Sequence, residues 1–252
     1  MDNELKSTIR DDVGRTFQER PLFHLPRIQE LMVNILFTWA KEHPEISYKQ
    51  GMNELLGIIL FVAYAEQAPE YMKIPHRSAE YLRELNGLEH IEADAYWCFA
   101  RLMDLGIDEL FNPVIAHKQR ANKKPDLFTW ESEKTHNDLV NQDKSTAEGV
   151  SSVLKRCHKI HHRILQNIDK DLYLHLEKNK IEPQMYLQRY VRCILSREFN
   201  LADTLVIWDS LFASLSPNSD FLAENQRNLC KELNLLDYVC VAMIIFVRAF
   251  GK

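Results

Sequence analysis

The stretch that decides the fold is "YKQGMNELLGIILFVAYAE", residues 48–66. From Gly51 onward it is apolar on most sides when wound at 3.6 residues per turn. That predicts a central, buried helix over 51–66 rather than a half-exposed one. Its opening is odd. Gly is a poor helix former, and Gln gains little as an N-cap. Taken alone, Gln50 and Gly51 simply start a helix. Read for chemistry, the Gln50 carboxamide carries a donor and an acceptor together and can position an attacking water.

The flanking sequence repeats the helical period. In 27–43, Ile28, Leu31, Met32, Ile35, Leu36 and Trp39 fall on one face, with Pro26 able to sit in the first turn and Pro44 to stop the helix. In 91–105, Ala95, Cys98, Phe99, Leu102 and Met103 do the same. Leu154, Cys157, His161, Ile164, Leu165 and Ile168 mark a helix over 151–168, and further helices are predicted over 184–198, 201–215 and 235–250. Asn200, three residues before Asp203, reads as an N-cap. Convincing period-2 strands are absent, and Asn86-Gly87 reads as a helix end because its flanks look helical. Residues 112–150 are polar and aperiodic, which predicts a long flexible insertion, with "LFTW" at 127–130 able to dock; 216–234 reads as a second loop with room for a short helix. The expectation is one all-α domain spanning 1–252, with roughly eight to ten helices.

Composition removes several classes of function. The net charge of −5 argues against nucleic acid as the main partner. The 7 glycines and the lack of GxGxxG or GxxxxGK[ST] argue against a nucleotide site of the usual kind. Five scattered cysteines with no CxxC predict reduced, buried thiols in a cytoplasmic protein. The longest apolar run, 238–247, is well short of the roughly 20 residues a spanning helix needs, so membrane contact is expected to be peripheral.

Two polar stretches carry candidate chemistry. "IRDDVGRTF", 9–17, places Asp12 and Arg15 three apart, so that they share a face if helical. The plain reading is a surface ion pair worth about 0–1 kcal/mol. The chemical reading is a guanidinium held by a carboxylate and aimed at phosphate oxygens. "CHKIHH", 157–162, offers i,i+4 pairs of metal-ligand spacing, Cys157/His161 and His158/His162. Cys157 and His161 follow the apolar face and no carboxylate or second cluster completes a site, so no metal centre is predicted. A hydrolase using His158, His161 and His162 would require one. No GxSxG marks a nucleophile.

Three stretches occur in one order: "IRDDVGRT" (9–16), "YKQGMNELLG" (48–57) and "IEPQMYLQRYVRCILSREFNLADTLVIWDSLFA" (181–213). This succession resembles the TBC domain of Rab GTPase-activating proteins. Ile9, Asp12, Arg15 and Thr16 match its first motif. Tyr48, Gln50, Gly51, Met52 and Asn53 match its second. Pro183, Tyr186, Arg189, Leu195, Arg197, Glu198, Phe199, Trp208 and Asp209 match its third, with Tyr190 where Trp is usual. Only eight residues precede Ile9, so the resemblance predicts a domain shortened at its N-terminal helices.

The resemblance implies an all-helical activator that is not a stand-alone enzyme. It would accelerate GTP hydrolysis by a Rab-family small GTPase with two fingers supplied in trans. Arg15 would neutralise charge on the transferring phosphoryl group, and Gln50 would orient the attacking water. Asp12 would steer Arg15. Tyr48 and Asn53 would support the site, and Gly51 and Met52 would shape the turn and touch the GTPase switch region. Arg189, Glu198, Trp208 and Asp209 would be mainly scaffold. No cofactor is expected of the chain itself, since GTP and Mg²⁺ belong to the partner. "YKQGMNELL", "DAYWCFARLM" and "WDSLFA" look most like the endosomal, retromer-linked branch, which implies recruitment to endosomal membranes and endosomal coat or retromer partners. The competing reading is a non-catalytic helical module that binds a Rab or a trafficking coat.

Overall fold

The computed structural model describes residues 2–65, 89–112, 151–215 and 229–250. The helix read from 51–66 forms as α3, Met52–Ala65, and of its first nine residues only Ile59 is not buried. Burial on every side is what a run without a polar face requires. Further along, Val62 and Tyr64 are partly exposed, so α3 is central at its start and reaches the surface at its end.

Around it lie α1 (Asp2–Val13), α2 (Pro26–Glu42) and α4 (Ile91–Asp104). Pro26 occupies the first turn of α2, where its missing N–H is no loss. The stripe from Ile28 to Trp39 is buried as its spacing requires. Helices α1 and α3 pack on α2, and α4 packs on α3. At the close approach of α3 to the turn after α1, a Cβ on Gly57 would lie 2.8 Å from the Phe17 ring. A larger residue there would push the two apart.

The remaining helices are α5 (Ser152–Lys159), α6 (Lys170–Lys178), α7 (Pro183–Arg192), α8 (Leu201–Ala213), α9 (Leu229–Glu232) and α10 (Asn234–Phe250). Helix α5 packs along α7, and α10 packs against α7. Arg156 of α5 and Asp237 of α10 form a buried ion pair at 2.6 Å, and Lys159 adds a second contact to Asp237 at 2.9 Å. Asn200 caps α8, accepting from the Asp203 N–H at 3.1 Å. Among the described residues there is no strand, and the buried apolar side chains of both groups of helices form one core.

Four sequence expectations change. The helix expected over 184–198 ends at Arg192, and Ile194 and Leu195 adopt left-handed φ of 47° and 62°. Tertiary bonds outweigh propensity there: Trp208 Nε1 donates to the Ile194 carbonyl at 2.9 Å, and Arg189 grips Glu198 through two bonds of 2.6 and 2.9 Å. The helix over 151–168 is not uniform but widens into a π-helical turn at Ile160–Leu165. Helix α6 went unread, although Asp169 caps it by accepting from the Leu172 N–H at 2.9 Å. Cys98 is exposed, whereas Cys157, Cys193 and Cys240 are buried. Within the loop read at 216–234, residues 229–232 are helical and α10 starts at Asn234. Residues 113–150, with "LFTW", and the Asn86-Gly87 pair lie outside the described residues.

Candidate functional site

Asp12 comes from the last turn of α1, and Tyr48 and Asn53 flank the start of α3. Burial forces their polar atoms to find one another. Asp12 is 2% exposed, and its two carboxylate oxygens are divided between two partners. Oδ1 holds the Arg15 guanidinium, and Oδ2 accepts from the Tyr48 hydroxyl at 2.7 Å. Burial, then the bond to Asp12, pushes the Tyr48 hydroxyl well above its usual range, so it remains a donor.

Asn53 ties the two motifs together. Its Nδ2 donates to Thr16 Oγ1 at 2.8 Å and to the Asp12 carbonyl at 3.3 Å. Its Oδ1 accepts from the Gly51 N–H at 3.0 Å. One buried amide therefore holds both the turn carrying Arg15 and the turn carrying Gln50. Gly51 has φ of 105°, and a Cβ there would lie 3.1 Å from Cys193 Sγ. Only glycine combines that backbone with that closeness. Gln50, one residue earlier, is exposed, and the Arg15 side chain is 53% exposed.

The network is thus buried at its base and open at its two ends. Tyr48, Asn53 and Met52 are all buried, and Met52 is fully so. Met52 shapes the turn from beneath, its sulfur 3.3 Å from the Lys49 N–H, and offers no surface to a partner.

Sequence reading missed the surroundings of Gln50. A hollow of about 310 Å³ opens beside it, edged by Gln184, Gln188, Arg189, Arg192 and Arg197. Arg197 pairs with Glu54 at 3.5 Å; Arg192 lies near the Phe111 ring, its Nε without a hydrogen-bond partner. Burial pushes the Glu54 carboxyl up to about 7, against the opposing pull of Arg197. The signal for this edge was the three arginines within nine residues of α7 and its following turn.

The described residues form an all-helical scaffold that buries a carboxylate, a phenol and an amide and leaves Arg15 half exposed and Gln50 exposed. The Rab-GTPase-TBC domain family model matches residues 1–141 and 132–223, and the chain belongs to that family. It is similar to TBC1 domain family member 5 of Homo sapiens, 33% identical over 249 residues, covering 98% of this chain and 28% of that protein. TBC1 domain family member 5 homolog B of Dictyostelium discoideum is 25% identical over 321 residues, covering 97% of this chain and 30% of that one. The chain therefore spans less than a third of these relatives. The crystal structure of the Ypt/Rab-GAP domain of Gyp1p shares the fold, with a TM-score of 0.59 at 20% identity, over 97% of this chain and 61% of that one. No helix among the described residues is long and apolar enough to cross a membrane.

Proposed function

We propose that this chain activates GTP hydrolysis by a Rab-family GTPase through Arg15 and Gln50. The observation that carries this reading is the shared base of the two side chains. Asn53 binds the Asp12–Thr16 turn and the Gly51 N–H with one carboxamide, which ties together the backbone segments that carry Arg15 and Gln50. The partner supplies GTP and Mg²⁺.

Arg15 meets the needs of a charge-stabilising finger. Asp12 fixes its direction, while the half-exposed guanidinium keeps N–H donors for phosphate oxygens. Because Asp12 is buried, Arg15 keeps that contact while the rest of its guanidinium faces outward toward an incoming phosphate. Gln50 is exposed at the end of a rigid turn, where its carbonyl oxygen can accept from water and its amide can donate to phosphate. Both effects are positional and electrostatic, as phosphoryl transfer demands. The segments "DAYWCFARLM" and "WDSLFA", which resemble the endosomal, retromer-linked branch of the family, support placing the protein in the cytoplasm, recruited to endosomes with coat or retromer components.

Single-turnover hydrolysis of GTP on a panel of Rabs tests the reading. Wild type accelerates at least one member, and Arg15→Ala removes nearly all of that acceleration. Failure to accelerate any Rab, or a loss below tenfold in Arg15→Ala, overturns it. Rab binding that ignores aluminium fluoride and Arg15→Ala would instead mark a non-catalytic module.

A further inference from the structure

The expectation that no carboxylate accompanies the histidines of 157–162 does not survive folding. The π-helical turn Ile160–Leu165 presents His161 and His162 to α6, and Glu177 of that helix meets them. His161 is fully buried, and its Nε2 lies 2.8 Å from Glu177 Oε1. Its Nδ1 pairs with the Tyr186 hydroxyl of α7. His162 is half-buried, with Nδ1 3.4 Å from the Tyr173 hydroxyl. One ligand atom from each of His161, His162 and Glu177 lies within 4.8 Å of the other two.

From this geometry we propose a binding site for a divalent transition-metal ion of the zinc type, with His161, His162 and Glu177 as protein ligands and water in the fourth position. The donor set is two imidazoles and a carboxylate, which suits zinc and its neighbours rather than magnesium or calcium. Each imidazole also has a tyrosine hydroxyl beside one nitrogen, the outer-shell arrangement that fixes a tautomer and turns the other nitrogen to a metal. If Nδ1 of His161 donates to Tyr186, its Nε2 lone pair faces a carboxylate oxygen, an arrangement that a metal cation between them would stabilise. A simple hydrogen bond would satisfy His161 and Glu177, but has no use for His162. Tetrahedral zinc with bonds of about 2.0–2.1 Å spaces its donors roughly 3.3 Å apart. The His161–Glu177 separation of 2.8 Å is shorter than that, and Glu177, 43% exposed, is free to move outward to admit the ion. His158 stacks parallel to His162 at 5.3 Å rather than converging, so it is left out of the ligand set.

Such an ion would brace the π-helical turn against α6 and, through Tyr186, against α7. None of its ligands belongs to the Asp12–Asn53 network, so the site is a structural tie independent of the proposed GTPase activation. The test is titration of the chelator-stripped full chain with Co²⁺, followed by displacement with Zn²⁺, which requires no GTPase. The expected result is one equivalent of Co²⁺ with visible d–d bands, displaced by Zn²⁺, and a higher melting temperature with either ion. His162→Ala and Glu177→Gln should melt close to the stripped wild type and lower Zn²⁺ affinity by at least about tenfold. These two positions avoid the fully buried His161, whose loss would disturb the core. No stoichiometric uptake, or uptake that neither variant weakens, overturns the proposal and leaves Glu177 as a plain hydrogen-bond partner of His161.

Discussion

Two of the buried polar clusters among the described residues are built differently. Beneath Arg15 and Gln50, the inner groups pair among themselves: Asp12 with Tyr48, and Asn53 with Thr16 and Gly51. What remains free points outward. Around His161 the order is reversed, since the buried ring faces a half-exposed Glu177 and a half-buried His162 at the protein's edge. In the proposed reading, the closed network holds side chains out for a partner. An open one leaves room for an ion to complete it.

The largest predicted effect comes from cutting an outward end of the closed network. Arg15→Ala should lower single-turnover GTP hydrolysis by about 10³-fold or more, and should also lower the melting temperature because it takes the cation from the buried Asp12 carboxylate. Arg15→Lys should recover little, because an ammonium lacks the forked donor geometry.

Cutting the base should also cost stability. Asn53→Ala strands the Gly51 N–H, and about 2–3 kcal/mol should be lost in urea unfolding. Gly51→Ala meets both the positive φ and Cys193 Sγ, and should cost about 1–3 kcal/mol. If either variant kept full stability but lost activity, the base would not be structural in the sense argued here.

A smaller effect should follow pH. Burial raises the Glu54 carboxyl to about 7 from its ordinary value of 4.5. The folded state therefore holds that proton more tightly, and its contribution is complete below about 4.5. It is lost as pH rises through about 7, so stability relative to Glu54→Gln should fall over that interval. Paired thermal melts across pH 5–8 check the sign. Smallest is Asn200→Ala, which removes the α8 cap and should cost about 1 kcal/mol.

The helices were legible wherever burial is one-sided and periodic, as in α2, or complete, as at the start of α3. The pattern failed where distant groups override local preference. Nothing local announces that Ile194 and Leu195 turn left-handed, because the Trp208 indole and the Arg189–Glu198 pair stabilise that turn from outside it. Periodicity also cannot see a π-helical turn, which keeps the same residues but turns His162 toward Glu177. Arg15 and Gln50 were singled out by motif order. Their common base was not, because Asn53 looks like an ordinary helix-start residue until its amide is seen bridging to Asp12 and Thr16. The burial of Met52 likewise replaces an expected contact surface with an internal prop.

The central claim is that Gln50 works in trans, in place of the GTPase's own glutamine. The most direct test is single-turnover hydrolysis on the responsive Rab with its catalytic switch glutamine replaced by leucine. The account predicts that wild type still accelerates this GTPase, within about tenfold of its effect on the normal one, and that Gln50→Ala removes the acceleration. Loss of all acceleration on the leucine-substituted Rab, with Gln50→Ala behaving as wild type on the normal one, would contradict it.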